Sequence, residues 1–174
     1  MLEIPEAPLS SVPEGGGPCL LPAPRDLKGM SEPAPTRPRV GPGVAAGVDE
    51  EMIRRLVPAF YAKVRQDPEL GPIFNREIDD WDEHLAKLCD FWSSVLLMTG
   101  RFKGQPMAVH ARLGDIGPAH FTRWLQLFHE TADELCPPAA AALFRAKSNQ
   151  IGESLQLGLA FARGEPPPPL RARR

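Results

Sequence analysis

Cysteine is scarce in this chain, and the motifs of several enzyme classes are missing. Only Cys19, Cys89 and Cys136 occur, an odd number without a CxxC pair, so a disulfide framework is not indicated and the thiols are expected to be reduced. No HExxH, GxSxG or Walker-type glycine loop is found. The sequence therefore gives no support to a zinc protease, an α/β-hydrolase or a P-loop nucleotide-binding protein.

Long hydrophobic runs and an excess of basic charge are also missing. No stretch approaches the roughly 20 apolar residues that cross a bilayer, and the N-terminus shows no basic region followed by an apolar one. The 20 Lys and Arg residues face 22 Asp and Glu residues, for a net charge of -2, without the basic excess typical of nucleic-acid binding. These features predict a cytoplasmic protein that binds neither membrane nor nucleic acid.

Proline is abundant, with 21 among 174 residues, and its placement divides the chain. Residues 1–48 are rich in Pro and Gly and show no lasting hydrophobic period, so we expect a disordered extension, unless the natural start lies further along. Pro166–Pro169 and the arginines that follow predict a second disordered tail over residues 164–174. The block between them, residues 49–163, is expected to form one domain.

Helical periodicity dominates this block and predicts an all-α fold. A helix over about 49–66 places Ile53, Leu56, Val57, Phe60 and Val64 on one face, with Pro58 on the opposite face as a kink or boundary. Residues 67–74 are expected to form a turn-like stretch. A second helix follows Asp80, a favourable N-cap with Glu83 as capping-box partner, and continues to about Thr99.

The second helix carries His84, Leu88, Phe91 and Val95 on its apolar face, with Cys89 and Ser93 opposite. Shorter or later helices are expected after Pro106, Pro118 and about Ala139. No alternating strand pattern is present.

Three polar-tipped side chains lie at the margins of three predicted apolar faces. Tyr61 is the only tyrosine, and its hydroxyl, the His84 imidazole and the Trp124 indole N–H each need a partner when buried. Taken singly, such residues are more often structural. Together they suggest one polar spot in an apolar cavity, which suits a diatomic ligand of haem iron.

Five segments occur in an order and at separations that resemble the group III truncated haemoglobins. They are Phe60–Arg65, Leu70–Asn75, Trp81–His84, Phe102–Pro106 and Trp124–Phe128, and Asp67 and the Phe91-Trp92 pair agree with them. The resemblance covers about residues 50–159. It implies an abbreviated globin fold, a two-over-two helical sandwich around haem b.

The resemblance also implies roles for individual residues. His110 matches the proximal iron ligand, and Tyr61, His84 and Trp124 match the distal polar residues. A further group matches positions that line or support the haem pocket: Phe60, Phe74, Leu88, Phe91 and Trp92. No CxxCH motif is present for covalent attachment, and Phe102 stands where a tyrosine is common.

The implied function is binding of oxygen, nitric oxide or similar small ligands at a pentacoordinate haem iron. Distal polarity favours redox chemistry, such as nitric oxide dioxygenation or peroxide turnover, and an external reductase is then needed because the chain has no flavin or nicotinamide domain. Simple oxygen storage or transport is the first alternative. A helical interaction module without a cofactor is the second.

Overall fold

The computed structural model describes residues 40–113 and 116–166, and this part of the chain is helical without strands. Its helices are α1 (Pro42–Ala45), α2 (Glu50–Gln66), α3 (Gly71–Glu77), α4 (Trp81–Leu97), α5 (Pro106–His110), α6 (Pro118–Leu135) and α7 (Pro138–Arg163). The predicted all-α class is therefore confirmed. No helix in the described ranges combines the length and apolar character needed to span a membrane.

Helix α2 forms as its hydrophobic period predicts. The Asp49 carboxylate caps it by accepting a hydrogen bond from the Met52 N–H at 2.8 Å, which satisfies one of the free donors of the first turn. All five residues of the predicted apolar face are buried. Pro58 lies on the exposed side inside a continuous helix, so it does not mark a boundary.

Helix α4 starts as predicted and ends two residues before Thr99. The Asp80 carboxylate accepts from the Glu83 N–H at 2.9 Å, whereas the Glu83 carboxylate pairs with Lys87 at 2.7 Å. Met98 takes a left-handed conformation, with φ of 59°, and this stops the helix after Leu97.

The face of α4 that packs most deeply differs from the predicted one. Trp92, Ser93 and Leu96 are its buried residues, although Ser93 was expected to lie opposite the apolar face. The expected face of His84, Leu88, Phe91 and Val95 is only partly buried. Helix α4 thus buries one side in the protein core and leaves a second apolar side partly uncovered.

Two segments are helical where the sequence indicated none. Helix α3 falls in the turn-like stretch, because the Asp67 carboxylate accepts from the Glu69 and Leu70 N–H groups at 3.0 Å and Pro72 then opens a helix.

Helix α1 lies within the segment expected to be disordered, so that prediction is wrong for residues 42–45. A Cβ atom on Gly41 or Gly43 would collide with the Leu96 carbonyl, so these glycines allow α1 to approach the end of α4 closely. Most of both predicted tails, residues 1–39 and 167–174, lies outside the described residues.

The longer helices form two pairs in two layers. Helix α2 packs on α4, α6 packs on α7, and α2 also crosses α6. The core between the layers is aromatic, with Phe60, Trp92, Phe128 and Phe144 at 2% exposure or less. This is the arrangement of a two-over-two helical sandwich.

Candidate functional site

Tyr61, His84 and Trp124, which we call the polar cluster, come together from α2, α4 and α6. The Tyr61 ring lies 5.9 Å from the His84 ring, and its hydroxyl is hydrogen-bonded to Trp124. Burial raises the pKa of Tyr61 well above its usual value, and the Trp124 contact offsets this rise in part. Because an indole can only donate, the Tyr61 hydroxyl accepts from Trp124 and keeps its own proton for another acceptor.

The half-buried His84 imidazole is held in its neutral form. Burial lowers the pKa of His84, and the nearby charges of Lys87 and His110 lower it further. A neutral imidazole offers one N–H donor and one lone pair. The two imidazoles belong to different helices, His84 to α4 and His110 to α5.

His110 is the last residue of α5, and its ring is fixed by the first residue of that helix. The Nδ1 atom lies 2.7 Å from the Pro106 carbonyl oxygen, an acceptor that places the proton on Nδ1. In the neutral ring the Nε2 atom carries the lone pair. Metal-ligating histidines are commonly oriented by a bond of this kind from the second ring nitrogen to a carbonyl.

Helix α5 is positioned by α7. The Met107 side chain lies over Gly158, where a Cβ atom would meet its sulfur. Arg163 donates to the carbonyl oxygens of Leu113 at 2.8 Å and Ile116 at 2.9 Å, so it ties both sides of residues 114–115 to the end of α7. The position of His110 therefore depends on the C-terminal half of α7.

The apolar residues predicted around the site divide into two groups. Phe60 and Trp92 lie in the core: the Phe60 ring contacts the Trp124 ring at 5.2 Å, and Trp92 stacks on Phe128 at 4.9 Å. These two residues lie on the core side of the polar cluster.

The second group is half-buried and lies nearer the surface. Leu88 and Phe91 are on the partly covered side of α4, and the Phe91 ring meets the Phe102 ring at 5.2 Å. The Phe74 ring lies 5.9 Å from that of Tyr61. These three residues are in positions where they could contact a bound group.

Sequence reasoning missed two residues beside the polar cluster. The Trp81 ring contacts Tyr61 at 6.1 Å and His84 at 5.9 Å, and the Arg65 guanidinium lies 4.7 Å from the Trp81 centroid. Their spacing in the sequence could have indicated them: Arg65 follows Tyr61 by four residues and His84 follows Trp81 by three, and residues at these separations are neighbours on a helix face.

The remaining histidines have structural partners. His120, expected to be exposed, is half-buried and its Nδ1 accepts from the Gly117 N–H at 3.0 Å at the start of α6. His129 is partly exposed, as expected, and its Nε2 lies 3.2 Å from the Ser148 hydroxyl. Over residues 40–113 and 116–166, no three His, Cys, Asp or Glu side chains are grouped as metal ligands.

Comparison with known proteins identifies the family. No protein-family model matches the chain. Group 3 truncated hemoglobin ctb of Campylobacter jejuni is 42% identical over 88 residues, which span 48% of this chain and 69% of the relative. The crystal structure of group III truncated hemoglobin from Campylobacter jejuni matches at a TM-score of 0.60 and 34% identity, covering 62% of this chain and 88% of that one. The chain therefore belongs to the group III truncated haemoglobins.

Proposed function

We propose that this protein binds haem b and uses it to bind oxygen, nitric oxide or a similar small ligand. His110 would hold the iron, and the polar cluster would face the ligand. The observation that carries the proposal is the convergence of the Tyr61 hydroxyl, the His84 imidazole and the Trp124 indole from three separate helices. Family membership supports the same cofactor.

The donor set fits such a group. The Nδ1 atom of His110 is bonded to a carbonyl oxygen, which leaves Nε2 free to bind a metal. The half-buried apolar side chains of Leu88 and Phe91 offer the hydrophobic wall that a porphyrin face requires.

The polar cluster would hold a partly negative ligand by hydrogen bonding. Haem supplies a redox-active iron when bound. The Tyr61 hydroxyl, whose oxygen accepts from Trp124, can donate its proton, and neutral His84 can donate one N–H. At about 1.5–3 kcal/mol for each charge-assisted bond and 1.4 kcal/mol per tenfold, two donors would slow ligand release a hundredfold or more.

Slow release suits redox chemistry on nitric oxide or peroxide better than oxygen delivery. Electrons would then come from an external reductase. Stopped-flow turnover of nitric oxide or peroxide, measured with a reductase present, separates the two functions. Negligible turnover combined with fast oxygen release would instead establish storage or transport.

The test of the cofactor and its ligand is an absorption spectrum of the full chain with haem, reduced and then exposed to carbon monoxide. We expect a Soret band that shifts with carbon monoxide, changes in His110→Gly and recovers when imidazole is added. His120→Gly is the matched control and should retain the wild-type spectrum, because that ring only caps α6. The absence of a Soret band after haem addition would contradict the proposal and favour a helical module without a cofactor.

A further inference from the structure

Trp81 lies between the polar cluster and a cation at the protein surface. On α2, Tyr61 and Arg65 are one helical turn apart, and on α4, Trp81 and His84 are three residues apart. The Trp81 ring therefore touches both polar rings, at 6.1 and 5.9 Å, and its third neighbour is the Arg65 guanidinium at 4.7 Å. The contact between Arg65 and Trp81 joins α2 to the first residue of α4.

A depression of 640 Å³ lies on the outer side of this contact. It is lined by Ala62, Arg65, Gln66, Asn75 and Trp81. The Asn75 amide donates to the Arg65 carbonyl oxygen at 3.1 Å, which fixes α3 against the end of α2. Since Trp81 lines the depression and also contacts Tyr61 and His84, its indole lies between the depression and these two rings.

We propose that small ligands reach the polar cluster through this depression, and that Trp81 is the positioning residue that closes the route. Its indole holds the His84 ring beside Tyr61, and Arg65 holds the indole in place. This inference rests on the proposed function, because it assigns a path to the ligands that the polar cluster would bind.

The physical basis is the cation–π contact. A guanidinium over an indole face is attracted by the ring quadrupole, and at an exposed site the attraction is modest. Arg65 is exposed and Trp81 half-buried, so the contact is strong enough to favour one indole position and weak enough to open thermally. A closed position that is only slightly favoured is what a route for small ligands requires.

The test measures carbon monoxide association by flash photolysis on the haem-loaded full chain. Carbon monoxide is uncharged, so losing a surface charge does not change its attraction to the protein. We expect Arg65→Gln to raise the association rate constant two- to fivefold, equivalent to about 0.5–1 kcal/mol of lost contact. Arg65→Lys, which keeps a cation, should give a smaller rise.

The matched control is Arg55→Gln. Arg55 is an exposed arginine of the same helix, and it is absent from the lining of the depression. This variant removes the same charge and should associate with carbon monoxide at the wild-type rate. An equal increase in both variants would assign the effect to overall charge and overturn the inference.

A second measurement reports the position of His84 directly. Nuclear Overhauser contacts between the Trp81 indole and the His84 ring, recorded on the diamagnetic carbon monoxide complex, should weaken in Arg65→Gln and persist in Arg55→Gln. Trp81→Phe retains an aromatic ring and should associate more slowly than Trp81→Leu. Because Arg65 is exposed, its variants give an answer even when Trp81→Leu does not fold.

The two proposals fail in different ways. A protein without a Soret band would contradict the proposed function. A protein that takes up haem, yet shows wild-type association rates and unchanged Trp81–His84 contacts in Arg65→Gln, would retain that function and overturn the route and the role of Trp81.

Discussion

At the scale of single residues, the Tyr61 hydroxyl has a divided role. Its oxygen accepts from Trp124, and burial keeps it protonated by raising its pKa well above the usual value. The phenol therefore remains a donor at neutral pH. The packing partners of its ring, Phe60 at 4.7 Å and Phe74 at 5.9 Å, restrict where that proton can point.

Replacing Tyr61 with Phe removes this donor and keeps the ring. We expect oxygen to leave the haem-loaded protein about 10- to 100-fold faster, as one charge-assisted hydrogen bond of roughly 1.5–3 kcal/mol is lost. Stopped-flow oxygen displacement measures the rate. An unchanged rate would show that Tyr61 does not donate to the ligand.

Asp67 is a second residue whose contacts predict a measurable effect. Its side chain is 2% exposed and 2.8 Å from the Arg123 Nε, and it also accepts from the Glu69 and Leu70 N–H groups. We expect Asp67→Ala to lower the free energy of unfolding by about 2–3 kcal/mol, measured by urea denaturation. Asp67→Asn should cost less, because its amide oxygen can still accept from the backbone.

The same carboxylate predicts how stability depends on pH. Burial would raise the pKa of Asp67, but hydrogen bonds from the Leu70 N–H, the Arg123 guanidinium and the Glu69 N–H outweigh burial and lower it. The contribution of Asp67 to the free energy of unfolding is therefore fully present above its unfolded pKa of about 3.9. This contribution is lost as the pH falls through the folded pKa. Wild type should lose stability in acid more steeply than Asp67→Asn, and parallel profiles would contradict this assignment.

At the scale of elements, Phe128 joins the helices of both layers. Its ring contacts Phe60 of α2 at 5.0 Å, Trp92 of α4 at 4.9 Å and Phe144 of α7 at 6.2 Å. Its side chain is fully buried. A change at this position is consequently felt by four helices.

We expect Phe128→Ala to destabilise the protein by about 3–5 kcal/mol, through lost burial and the cavity that remains. Phe128→Leu retains most of the volume and should cost clearly less. Urea unfolding followed by far-ultraviolet circular dichroism measures both variants. Equal losses would indicate that the aromatic ring itself, rather than its volume, holds the helices together.

The elements that could be predicted from sequence are those with a long apolar period. Helix α2 shows every residue of its predicted apolar face buried, including Phe60. Helix α3 was missed because its seven residues contain too few turns to show a hydrophobic period. It begins where the Asp67 carboxylate accepts a hydrogen bond from the Leu70 N–H. Helix α1 was missed because its glycines, which permit close packing on Leu96, also occur in disordered segments.

The sequence indicated which residues form the polar cluster, but it did not show that their side chains meet. Tyr61, His84 and Trp124 lie at the edges of three apolar faces, and only tertiary packing decides whether such edges meet. The same limit applies to Trp81 and Arg65, whose contact joins residues 16 positions apart along the chain. The half-buried side of α4 was read as core, because a helical period does not distinguish protein packing from a surface that covers a ligand.

At the scale of the whole molecule, the compact part of the chain extends further toward the N-terminus than the predicted domain of residues 49–163. Val48 is 4% exposed and belongs to the main core, and α1 packs on α4. We propose that residues 40–166 form the complete globin domain.

Two truncated chains test this boundary. A chain of residues 40–166 should unfold at the same denaturant concentration as the full chain. A chain of residues 49–166 should lose at least the burial of Val48, about 1.5–3 kcal/mol, and more when the end of α4 frays. Chemical denaturation of both proteins makes the comparison, and equal stability of the two would return the boundary to residue 49.

Helix α5 differs from the longer helices in having no buried residue. Helix α5 contacts α7 through the flexible Met107 side chain. Beyond the end of α5, Arg163 of α7 donates hydrogen bonds to the chain that follows. A segment with so little burial opens locally at a small fraction of the free energy of global unfolding. We therefore expect the residue proposed to hold the iron to lie in a segment that exchanges its amide protons early, and we expect local opening of α5 to limit the lifetime of a bound cofactor more than the stability of the core does.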